Sequence, residues 1–495
     1  MVQGTGSEVG KSLVAAGLCR AFRNRHLNVR PFKPQNMSNN AAVTADGGEI
    51  GRAQALQARA CGVETSVHMN PVLLKPQSEQ GAQLIVQGKR VGDTNARAFT
   101  ETKHSLLGKV VESFEIVGEG ADLVIVEGAG SPAEINLRAG DIANMGFALA
   151  QDVPVILVAD IERGGVIANL IGTYELLDEA EREQIAGYVI NKFRGDPSLF
   201  EDGVAEITRR TGWPCLGVLP YLAVVNRLPA EDAVRLQANV TKPGNGPIKI
   251  AVPVLSRIAN FDDLDPLIAE PEVAVEFVKA GSPLPGDADL IILPGSKSTR
   301  AELDLLRTQG WDIDIAAHIR RGSWVLGLCG GFQMLGNSVS DPQGVEGLPG
   351  RTEGLGYLGV ETVLEPQKTQ LRVTGRDIDS GATIEGYEIH MGCTSGPDTK
   401  RPMLEIENQP AGAVSADGKV MGCYIHGLFG ADGFRAKFLQ KLSGRQHKGV
   451  AFERMVDETL DALAGHLEAH LDVDQLWRLA SDWVSAGNDK KRSVQ

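Results

Sequence analysis

The sequence has 495 residues, of which 42% are hydrophobic and 5% aromatic, and this composition is typical of a globular chain of two or three domains. Its formal net charge of −14 argues against nucleic acid or an anionic membrane surface as the main partner. Six scattered cysteines without a C-x-x-C pair, no membrane-length apolar stretch and no signal-peptide pattern predict a cytoplasmic protein that acts on a small substrate.

The chain opens with a glycine-rich loop that runs into a helical pattern of apolar residues. Gly4 lies six residues before Gly10, so the spacing is a variant of the common phosphate-binding loop. Backbone N–H groups of such a loop point at an anion, Lys11 neutralises phosphate charge, and the Ser12 hydroxyl ligates magnesium. The sequence therefore predicts a nucleotide site that includes Gly4, Thr5, Gly10, Lys11 and Ser12.

Magnesium needs further oxygen ligands, and two acidic residues lie where loops are predicted. Asp46 belongs to a glycine-rich turn, and Glu127 follows the apolar strand predicted at residues 123–126. A carboxylate at the carboxyl end of a parallel strand lies where open α/β sheets bind ligands, whereas an acid in a turn is often only solvated. We take Ser12, Asp46 and Glu127 as the candidate magnesium ligands.

Strands and helices alternate through the rest of the first half. Strands are predicted at residues 153–158 and 185–190, and helices at residues 141–151 and 167–182. This alternation is typical of a doubly wound α/β domain with a parallel sheet. Asn191 follows the last of these strands, where it is a candidate contact to a nucleobase or, equally, a helix cap or turn residue.

Residues 238–247 are poor in apolar side chains and rich in turn formers, and they predict a linker. Strand patterns restart at residues 248–255, 273–278 and 289–293, which predicts a second α/β domain. The helical tail after this domain is expected to pack on it. The predicted nucleotide domain, linker, second domain and tail span residues 1–237, 238–247, 248–445 and 446–495.

In the second domain, a short apolar run at residues 325–328 delivers Cys329 into a glycine-lined turn before a helical pattern. A strand that turns sharply into a helix is typical of a nucleophile elbow, and the helix N-terminus favours the reactive thiolate. A buried structural cysteine is the plainer alternative. The backbone N–H groups of Gly295, Ser296 and Gly330 are the candidate oxyanion hole.

Three histidines are candidate bases for Cys329. His318 lies in a helical stretch and is expected at the surface, whereas His390 alternates like a strand residue and is either structural or part of the pocket. His426 follows the apolar run 420–425, so it is expected to emerge at a strand end. This position makes His426 the preferred catalytic partner.

Several blocks of the first half resemble the cobyric acid synthase family. Besides the phosphate loop, these are Lys-Pro-Gln-Asn-Met at 33–37, Asp-Gly-Gly-Glu-Ile-Gly-Arg-Ala-Gln at 46–54 and Val-Ile-Asn-Lys-Phe-Arg-Gly-Asp at 189–196. The same half is similar to the dethiobiotin synthetase group of ATP enzymes. In that group the loop lysine binds phosphate, and the residues matching Ser12, Asp46 and Glu127 organise magnesium.

The segments around Cys329 and His426 resemble class I glutamine amidotransferase domains. In that family the cysteine attacks the side-chain amide of glutamine, the histidine transfers protons, and ammonia leaves. The usual glutamate two residues after the histidine is replaced by Leu428, as in the cobyric acid synthase branch, so the group that orients His426 is open. Glu388 or a backbone carbonyl is the hypothesis for that role.

The resemblance implies an α/β fold of two doubly wound domains, an N-terminal P-loop domain and a C-terminal class I glutamine amidotransferase-like domain. It implies amidation of side-chain carboxylates b, d, e and g of adenosylcobyrinic acid a,c-diamide, which gives adenosylcobyric acid in cobalamin biosynthesis. The reaction would use ATP, Mg²⁺ and L-glutamine and pass through an acyl phosphate. Cobalt is expected only within the corrinoid substrate.

Other functions share parts of this pattern. Cobyrinic acid a,c-diamide synthase has the same two-domain plan but amidates other carboxylates, and CTP synthase is expected to keep the glutamate after the histidine. A P-loop switch ATPase that amidates nothing is the alternative from a different class. Amide formation that depends on both ATP and glutamine separates these functions.

Overall fold

The computed structural model describes residues 1–77, 81–229 and 246–482. Most of the predicted linker, residues 238–245, and the polar end of the predicted tail lie outside the described residues, so both stay predictions. Within the described ranges, no helix is long and apolar enough to cross a membrane.

The N-terminal domain alternates strands and helices along its length. Its strands are β1 (Val2–Gly4), β2 (Val29–Phe32), β3 (Gln35–Met37), β4 (Ala41–Val43), β5 (Glu49–Gly51), β6 (Val72–Pro76), β7 (Gly81–Val86), β8 (Lys89–Asn95), β9 (Leu123–Val126), β10 (Val155–Asp160), β11 (Ile185–Phe193) and β12 (Cys215–Pro220). Its helices are α1 (Lys11–Asn24), α2 (Arg52–Cys61), α3 (Ala96–Gly118), α4 (Met145–Ala150), α5 (Val166–Leu176), α6 (Glu179–Glu183) and α7 (Glu201–Thr211).

The main sheet of this domain has β1, the strand that leads into the nucleotide loop, between β10 and the end of β9. β1, β10, β11 and β12 pair in parallel, β2 pairs in parallel with β9, and a bridge between Val2 and Glu127 connects the two groups. The strands are nearly continuously apolar because helices cover both faces. The doubly wound prediction is confirmed, except that the helix predicted at 167–182 is two helices, since Asp178 forms a capping box that starts α6.

Within residues 246–482, the C-terminal domain contains two large sheets and one small two-stranded sheet. Its strands are β13 (Ile248–Pro253), β14 (Ile258–Ala259), β15 (Val273–Val278), β16 (Leu290–Leu293), β17 (Gly295–Ser296), β18 (Trp324–Leu328), β19 (Ser338–Asp341), β20 (Gly350–Glu353), β21 (Glu361–Asp377), β22 (Thr383–Ser395), β23 (Leu404–Ile406), β24 (Gln409–Ala411), β25 (Ala413–Val414), β26 (Val420–Cys423) and β27 (Ile425–His426). Its helices and those of the tail are α8 (Asp265–Ile268), α9 (Thr299–Thr308), α10 (Trp311–Arg320), α11 (Gly330–Leu335), α12 (Asp432–Ser443) and α13 (Phe452–His470).

The central sheet has the order β15-β13-β16-β18-β26-β25, and its strands are parallel except for β25 at the edge. The second sheet is built on the long antiparallel hairpin of β21 and β22. The single strand predicted at 420–425 is two strands, because the chain leaves the central sheet after Cys423 and β27 pairs with β22. This change of sheet brings His426 opposite Tyr387.

The helical tail packs on the N-terminal domain, so the prediction that it covers the amidotransferase-like domain is wrong. Arg20 of α1 forms ion pairs with Asp457 and Asp461 of α13. A Cβ atom built on Gly17 would lie 2.5 Å from Leu467, which shows how closely α1 and α13 approach. The apolar face of α13 decides this placement because it is buried in one cluster with α1, through Val456, Leu460, Leu463 and Leu467.

The two domains meet at an interface that combines buried charges with apolar packing. Glu49 of the N-terminal domain forms ion pairs with Lys75 of its own domain, at 2.6 Å, and with Lys368 of the other. Beside them lies a small apolar cluster contributed by both domains, composed of Ala41, Val43, Leu73, Ile85, Tyr387 and Ile389. Because Cys329 Sγ lies 3.8 Å from the carbonyl oxygen of Ile389, the predicted nucleophile lies directly behind this interface.

Candidate active site

The glycine-rich loop between β1 and α1 is held from the side by two residues near the carboxyl end of β11, so Asn191 lies within that strand and not after it as predicted. Asn191 Nδ2 donates to Val9 O at 2.8 Å, and Lys192 Nζ donates to Glu8 O at 2.6 Å. Gly10 has a φ of 101°, and a Cβ atom there would lie 2.2 Å from Asn191 Nδ2, so the loop needs glycine at this point. Asn191 therefore braces the loop, and its contact to a nucleobase stays a prediction.

The Lys11 side chain bridges the glycine-rich loop and the segment after β9. Its Nζ donates to Gly6 O and to Gly130 O, each at 2.9 Å, which places the ammonium between the loop and the segment after β9. The buried Thr5 hydroxyl has no hydrogen-bond partner among the described residues. A buried polar group without a partner in a loop of this shape fits a site for a phosphate group.

Glu127 is buried at the end of β9 and collects donors from several elements. Its Oε1 accepts from Ser12 Oγ at 2.7 Å and from Lys33 Nζ at 2.9 Å, and its Oε2 accepts from Gln57 Nε2 at 2.6 Å. Burial opposes the charged form, but Lys33 and the hydrogen bonds from Ser12 and Gln57 outweigh it and lower the pKa of Glu127. Glu127 is therefore an ionised carboxylate beside the Ser12 hydroxyl.

The third predicted metal ligand, Asp46, hydrogen-bonds residues of a turn, and its place in a magnesium site stays a prediction. The exposed Asp46 carboxylate accepts from Ser66 Oγ at 2.8 Å and from Val67 N at 3.2 Å, so it orders the turn ahead of a short 3₁₀ helix. Within residues 1–77 and 81–229, Ser12 and Glu127 are joined to each other but not to Asp46. Two protein oxygens still fit Mg²⁺, which is usually held by one or two carboxylates together with phosphate oxygens and water.

Cys329 lies at a strained turn between β18 and α11. Its φ of 50° and ψ of −109° are unusual for a residue with a side chain. The turn is compact, since a Cβ atom on Gly327 would lie 2.6 Å from Gly331 C, and one on Gly331 would lie 2.0 Å from Leu293 O. The strand, turn and helix of the expected nucleophile elbow are all present.

His426 lies beside Cys329 and is held by an aspartate. Its Nδ1 donates to Asp263 Oδ2 at 2.6 Å, and Asp263 Oδ1 accepts from Gly427 N at 2.7 Å. Burial disfavours the charged imidazole, but the Asp263 carboxylate and hydrogen bonds to Asp263 and Cys329 outweigh it and raise the pKa of His426 to about 10. The site therefore favours an imidazolium beside the thiol.

Two expectations about other candidate residues of this domain are wrong. Glu388 hydrogen-bonds His390 Nε2 at 3.3 Å, and it is Asp263, not Glu388, that orients His426. His318 is fully buried instead of exposed, and its Nε2 hydrogen-bonds Trp324 O at 3.0 Å. The reason is that His318 shares one face of α10 with two other buried residues, Trp311 and Ile315.

The residues expected to form the oxyanion hole surround Cys329. A Cβ atom on Gly295 would lie 3.2 Å from His426 Cε1 and 3.8 Å from Cys329 Cβ. A Cβ atom on Gly330 would lie 3.0 Å from Ser296 N. The structure thus brings the three candidate backbone positions together beside Cys329, and their role as an oxyanion hole stays a prediction.

Aromatic and amide side chains hold this arrangement against the N-terminal domain. Tyr387 stacks on His426 with ring centroids 5.4 Å apart and an interplanar angle of 24°. Asn260 Nδ2 donates to the Tyr387 hydroxyl at 2.8 Å and to Ala41 O of the N-terminal domain at 3.2 Å. The immediate surroundings of His426 therefore include the domain interface.

Sequence reasoning missed Lys33, Gln57, Asn260 and Asp263. Lys33 lies in a block that the family resemblance singled out, which was an available signal. Asp263 stands beside Asp262 in a short run, Phe-Asp-Asp-Leu, in which both acids are buried. No spacing rule connects that run to a histidine 163 positions away.

Comparisons with known proteins cover both halves of the chain. Residues 1–235 match a family described as the CobQ/CobB/MinD/ParA nucleotide binding domain, and residues 249–434 match the CobB/CobQ-like glutamine amidotransferase domain. The chain is 60% identical over 480 residues to cobyric acid synthase of Rhodobacter capsulatus, which covers 97% of this chain and 99% of that protein. It is 59% identical to the cobyric acid synthases of Cereibacter sphaeroides and Brucella anthropi, again over 97% of this chain and 99% of each protein.

Solved structures give partial matches. PurLQS from Thermotoga maritima is 16% identical, with a TM-score of 0.29, and the match covers 43% of this chain and 98% of that chain. A crystal structure of a glutamine amidotransferase is 17% identical, with a TM-score of 0.28, and the match covers 40% of this chain and 99% of that chain.

Proposed function

The chain belongs to the cobyric acid synthase family, a family of glutamine-hydrolysing ligases, and we propose that it amidates carboxylates b, d, e and g of adenosylcobyrinic acid a,c-diamide. The product is adenosylcobyric acid, and cobalt enters only within the corrinoid substrate. The observation that carries this proposal is one chain that holds both a Lys11–Ser12–Glu127 cluster and a Cys329–His426–Asp263 cluster.

Glutamine hydrolysis in the C-terminal domain starts from a thiolate–imidazolium pair. The Cys329 thiolate attacks the side-chain amide carbon, a C–S bond forms, and the carbonyl oxygen becomes an oxyanion beside the backbone of Gly330. His426 gives a proton to the amide nitrogen, the C–N bond breaks, and ammonia leaves a thioester behind. The now neutral His426 takes a proton from the water that hydrolyses the thioester, which releases glutamate and restores the pair.

Asp263 supports both directions of proton transfer. Its carboxylate fixes the orientation of the His426 ring through Nδ1, so Nε2 faces the reacting atoms. It also stabilises the imidazolium, which must be present when ammonia departs. Asp263 thus takes the place of the glutamate that other class I enzymes carry two residues after the histidine.

The N-terminal domain activates the acceptor carboxylate. MgATP supplies the phosphoryl group that turns the carboxylate into an acyl phosphate, from which phosphate is displaced when ammonia attacks the carbonyl carbon. Lys11 and the loop backbone bind the phosphates, and Ser12 with Glu127 would hold the magnesium ion. Lys33 keeps Glu127 ionised, and Asn191 keeps the loop in shape.

A cavity of about 390 Å³ beside the segment that follows β9 supports an acceptor site in this domain. Its walls combine apolar side chains, including Met37, Phe99 and Leu137, with a few charged ones, including Lys103. A macrocycle with an apolar plane and carboxylates at its rim suits such a lining. The cavity also borders Ala129 and Ser131, the residues on either side of Gly130.

The test is product formation by the full chain. Incubation with cobyrinic acid a,c-diamide in its adenosyl form, MgATP and glutamine should give four successive mass changes, each that of a hydroxyl replaced by an amino group. ATP hydrolysis without amidation of the corrinoid would overturn the proposal and favour a P-loop switch ATPase. All six cysteines, each within the described ranges, are free thiols, which fits the cytoplasmic location that belongs to this proposal.

A further inference from the structure

The segment at residues 46–54 distinguishes this chain from ordinary phosphate-loop proteins, yet neither half of the reaction above uses its central residues. The structure places the end of this segment where β5 stops at Gly51 and α2 starts at Arg52. A Cβ atom on Gly51 would lie 2.2 Å from Asn36 Nδ2 and 2.6 Å from Gln54 Oε1. The start of α2 is therefore tightly packed and fixed in position.

Arg52 reaches from this point into the other domain. Its Nε lies 3.0 Å from Asp262 Oδ2, and the Asp262 side chain is 3% exposed. Asp262 precedes Asp263, the residue that orients His426. The second carboxylate oxygen of Asp262 has no hydrogen-bond partner in the part of the chain that the structure describes, so Arg52 is its main source of compensation.

Two adjacent buried carboxylates repel each other unless cations stand nearby. His426 provides one positive charge for Asp263, and Arg52 provides another for Asp262. Burial disfavours the charged guanidinium, but Asp262, Tyr387, Asp265 and Asp263 outweigh it and raise the pKa of Arg52. The carboxylate pair that holds the catalytic histidine is thus completed by a residue of the nucleotide-binding domain.

Helix α2, which begins at Arg52, also contacts the nucleotide site through two glutamines. Gln54 Nε2 and Gln57 Nε2 donate to Glu127 Oε2 at 3.4 Å and 2.6 Å. Gln57 Nε2 also lies 3.4 Å from Ser12 O. A helix of ten residues therefore contacts the magnesium-ligand pair through its glutamines and the Asp262–Asp263 pair through its first residue.

We propose that Arg52 is a positioning residue for His426 and that α2 couples the state of the nucleotide site to glutamine hydrolysis. A ligand that changes the hydrogen bonds of Glu127 acts on Gln54 and Gln57, and the rigid helix carries the shift to Arg52. The coupling rests on the proposed function, since it matters only if both sites serve one amidation. The coupling would limit the release of ammonia to the time when an acceptor carboxylate is activated.

The test compares Arg52→Met, Arg52→Lys and a matched control, Arg59→Met. Arg59 lies on the same helix and forms ion pairs with Glu453 and Asp457 of α13 instead of with Asp262. Glutamine hydrolysis by the full chain is measured without ligands, with MgATP, and with MgATP plus the corrinoid a,c-diamide. Ammonia-supported amidation of the same corrinoid is measured in parallel.

We expect ligands to stimulate glutamine hydrolysis in the unmodified chain and in Arg59→Met. In Arg52→Met the stimulation should fall about tenfold through kcat, with the KM for glutamine and ammonia-supported amidation changed less than about threefold. Arg52→Lys should recover part of the stimulation, because a lysine keeps the charge but not the geometry. A general structural defect would instead lower both activities together.

Several results would overturn the coupling. These are the absence of stimulation in the unmodified chain, an unchanged stimulation in Arg52→Met, or an equal loss of ammonia-supported amidation. If Arg52→Met fails to fold, the same assays on Asp262→Asn replace it. Unchanged stimulation of glutamine hydrolysis in Asp262→Asn contradicts the inference. Failure of the proposed function can be distinguished from failure of the coupling. If the proposed function fails, the unmodified chain amidates no corrinoid, but the stimulation of glutamine hydrolysis by MgATP alone still tests the role of Arg52.

Discussion

Asp263 Oδ2 lies 2.6 Å from His426 Nδ1, although 163 positions separate the two residues in the chain. The aspartate comes from the short 3₁₀ helix Phe261–Leu264 after β14, and the histidine from β27, so the third member of the site is supplied from the start of its domain. Leu428, at the position of the usual glutamate, is buried in the core instead. The missing glutamate therefore does not leave the histidine without a carboxylate partner.

Asp263→Asn should lower glutamine-dependent amidation about 100-fold, because the amide does not stabilise the imidazolium and favours the wrong tautomer. Amidation with ammonium salts should change little, since the nucleotide site is intact. Steady-state rates with each nitrogen donor provide the measurement. Glu388→Gln is the matched control, and an equal loss in that variant would contradict the assignment of Asp263.

The stability of the C-terminal domain should depend on pH through His426. Its pKa is about 10 in the folded chain against 6.5 for an ordinary histidine, so the folded state binds the proton more tightly. The contribution is fully present below pH 6.5 and is lost as the pH rises through 10. Chemical unfolding at several pH values should show this decline, and in Asp263→Asn the decline should be much smaller.

Cys329→Ser should abolish glutamine-dependent amidation and leave ammonia-supported amidation within about twofold, because serine is a far weaker nucleophile without a matched base. Thioester trapping with labelled glutamine gives a direct measurement in the unmodified chain. Cys393→Ser is the control, since Cys393 is exposed. Loss of activity with both nitrogen donors in Cys329→Ser would indicate a structural cysteine instead.

Glu127→Gln should lower amidation about 100-fold with either nitrogen donor, because it removes the ionised oxygen beside Ser12 and the carboxylate charge that faces Lys33. Asp46→Asn should change the rate less than about threefold, since the Asp46 carboxylate holds only a turn. The ATP-dependent rate across a magnesium titration is the measurement. A larger effect at Asp46 than at Glu127 would restore the ligand set expected from sequence.

Glu49→Gln should destabilise the contact between the domains by about 3 kcal/mol, because it leaves two buried lysines without their carboxylate. Lys75 and Lys368 both pair with Glu49, and burial lowers the pKa of Lys368 to about 8 even with that partner. Denaturant unfolding followed by near-UV circular dichroism measures the loss. The matched exposed pair is Arg351–Glu361, where Glu361→Gln should cost less than about 1 kcal/mol.

The parts of the site that could be predicted from the sequence are those formed by consecutive residues. The phosphate loop and the elbow at Cys329 each combine a strand, a turn and a helix within a short segment, so spacing alone indicated their geometry. Asp263 and Arg52 reach His426 only through tertiary packing, which leaves no periodic signal in one sequence. Asp46 shows the converse, since a suitable residue type in a suitable turn hydrogen-bonds Ser66 and Val67 instead.

For the fold, too, local features were predicted from the sequence and tertiary packing was not. Apolar runs predicted the parallel strands of both domains, because a strand covered on both faces is apolar throughout. They did not show that 420–425 is shared between two sheets, since both parts are equally buried. Nor did the pattern of α13 show which domain receives it, because an amphipathic helix specifies a buried face but not its partner.

The docking of α13 on α1 also has a consequence for how the protein is made. The ribosome makes α1 before α13, with the whole amidotransferase domain between them, and Leu18 and Gly17 belong to the surface that α13 covers. The nascent nucleotide-binding domain must therefore wait, with an apolar strip uncovered, until the whole amidotransferase domain has been synthesised. A fragment cut at the linker would keep that strip exposed, and we expect it to need a chaperone or to aggregate.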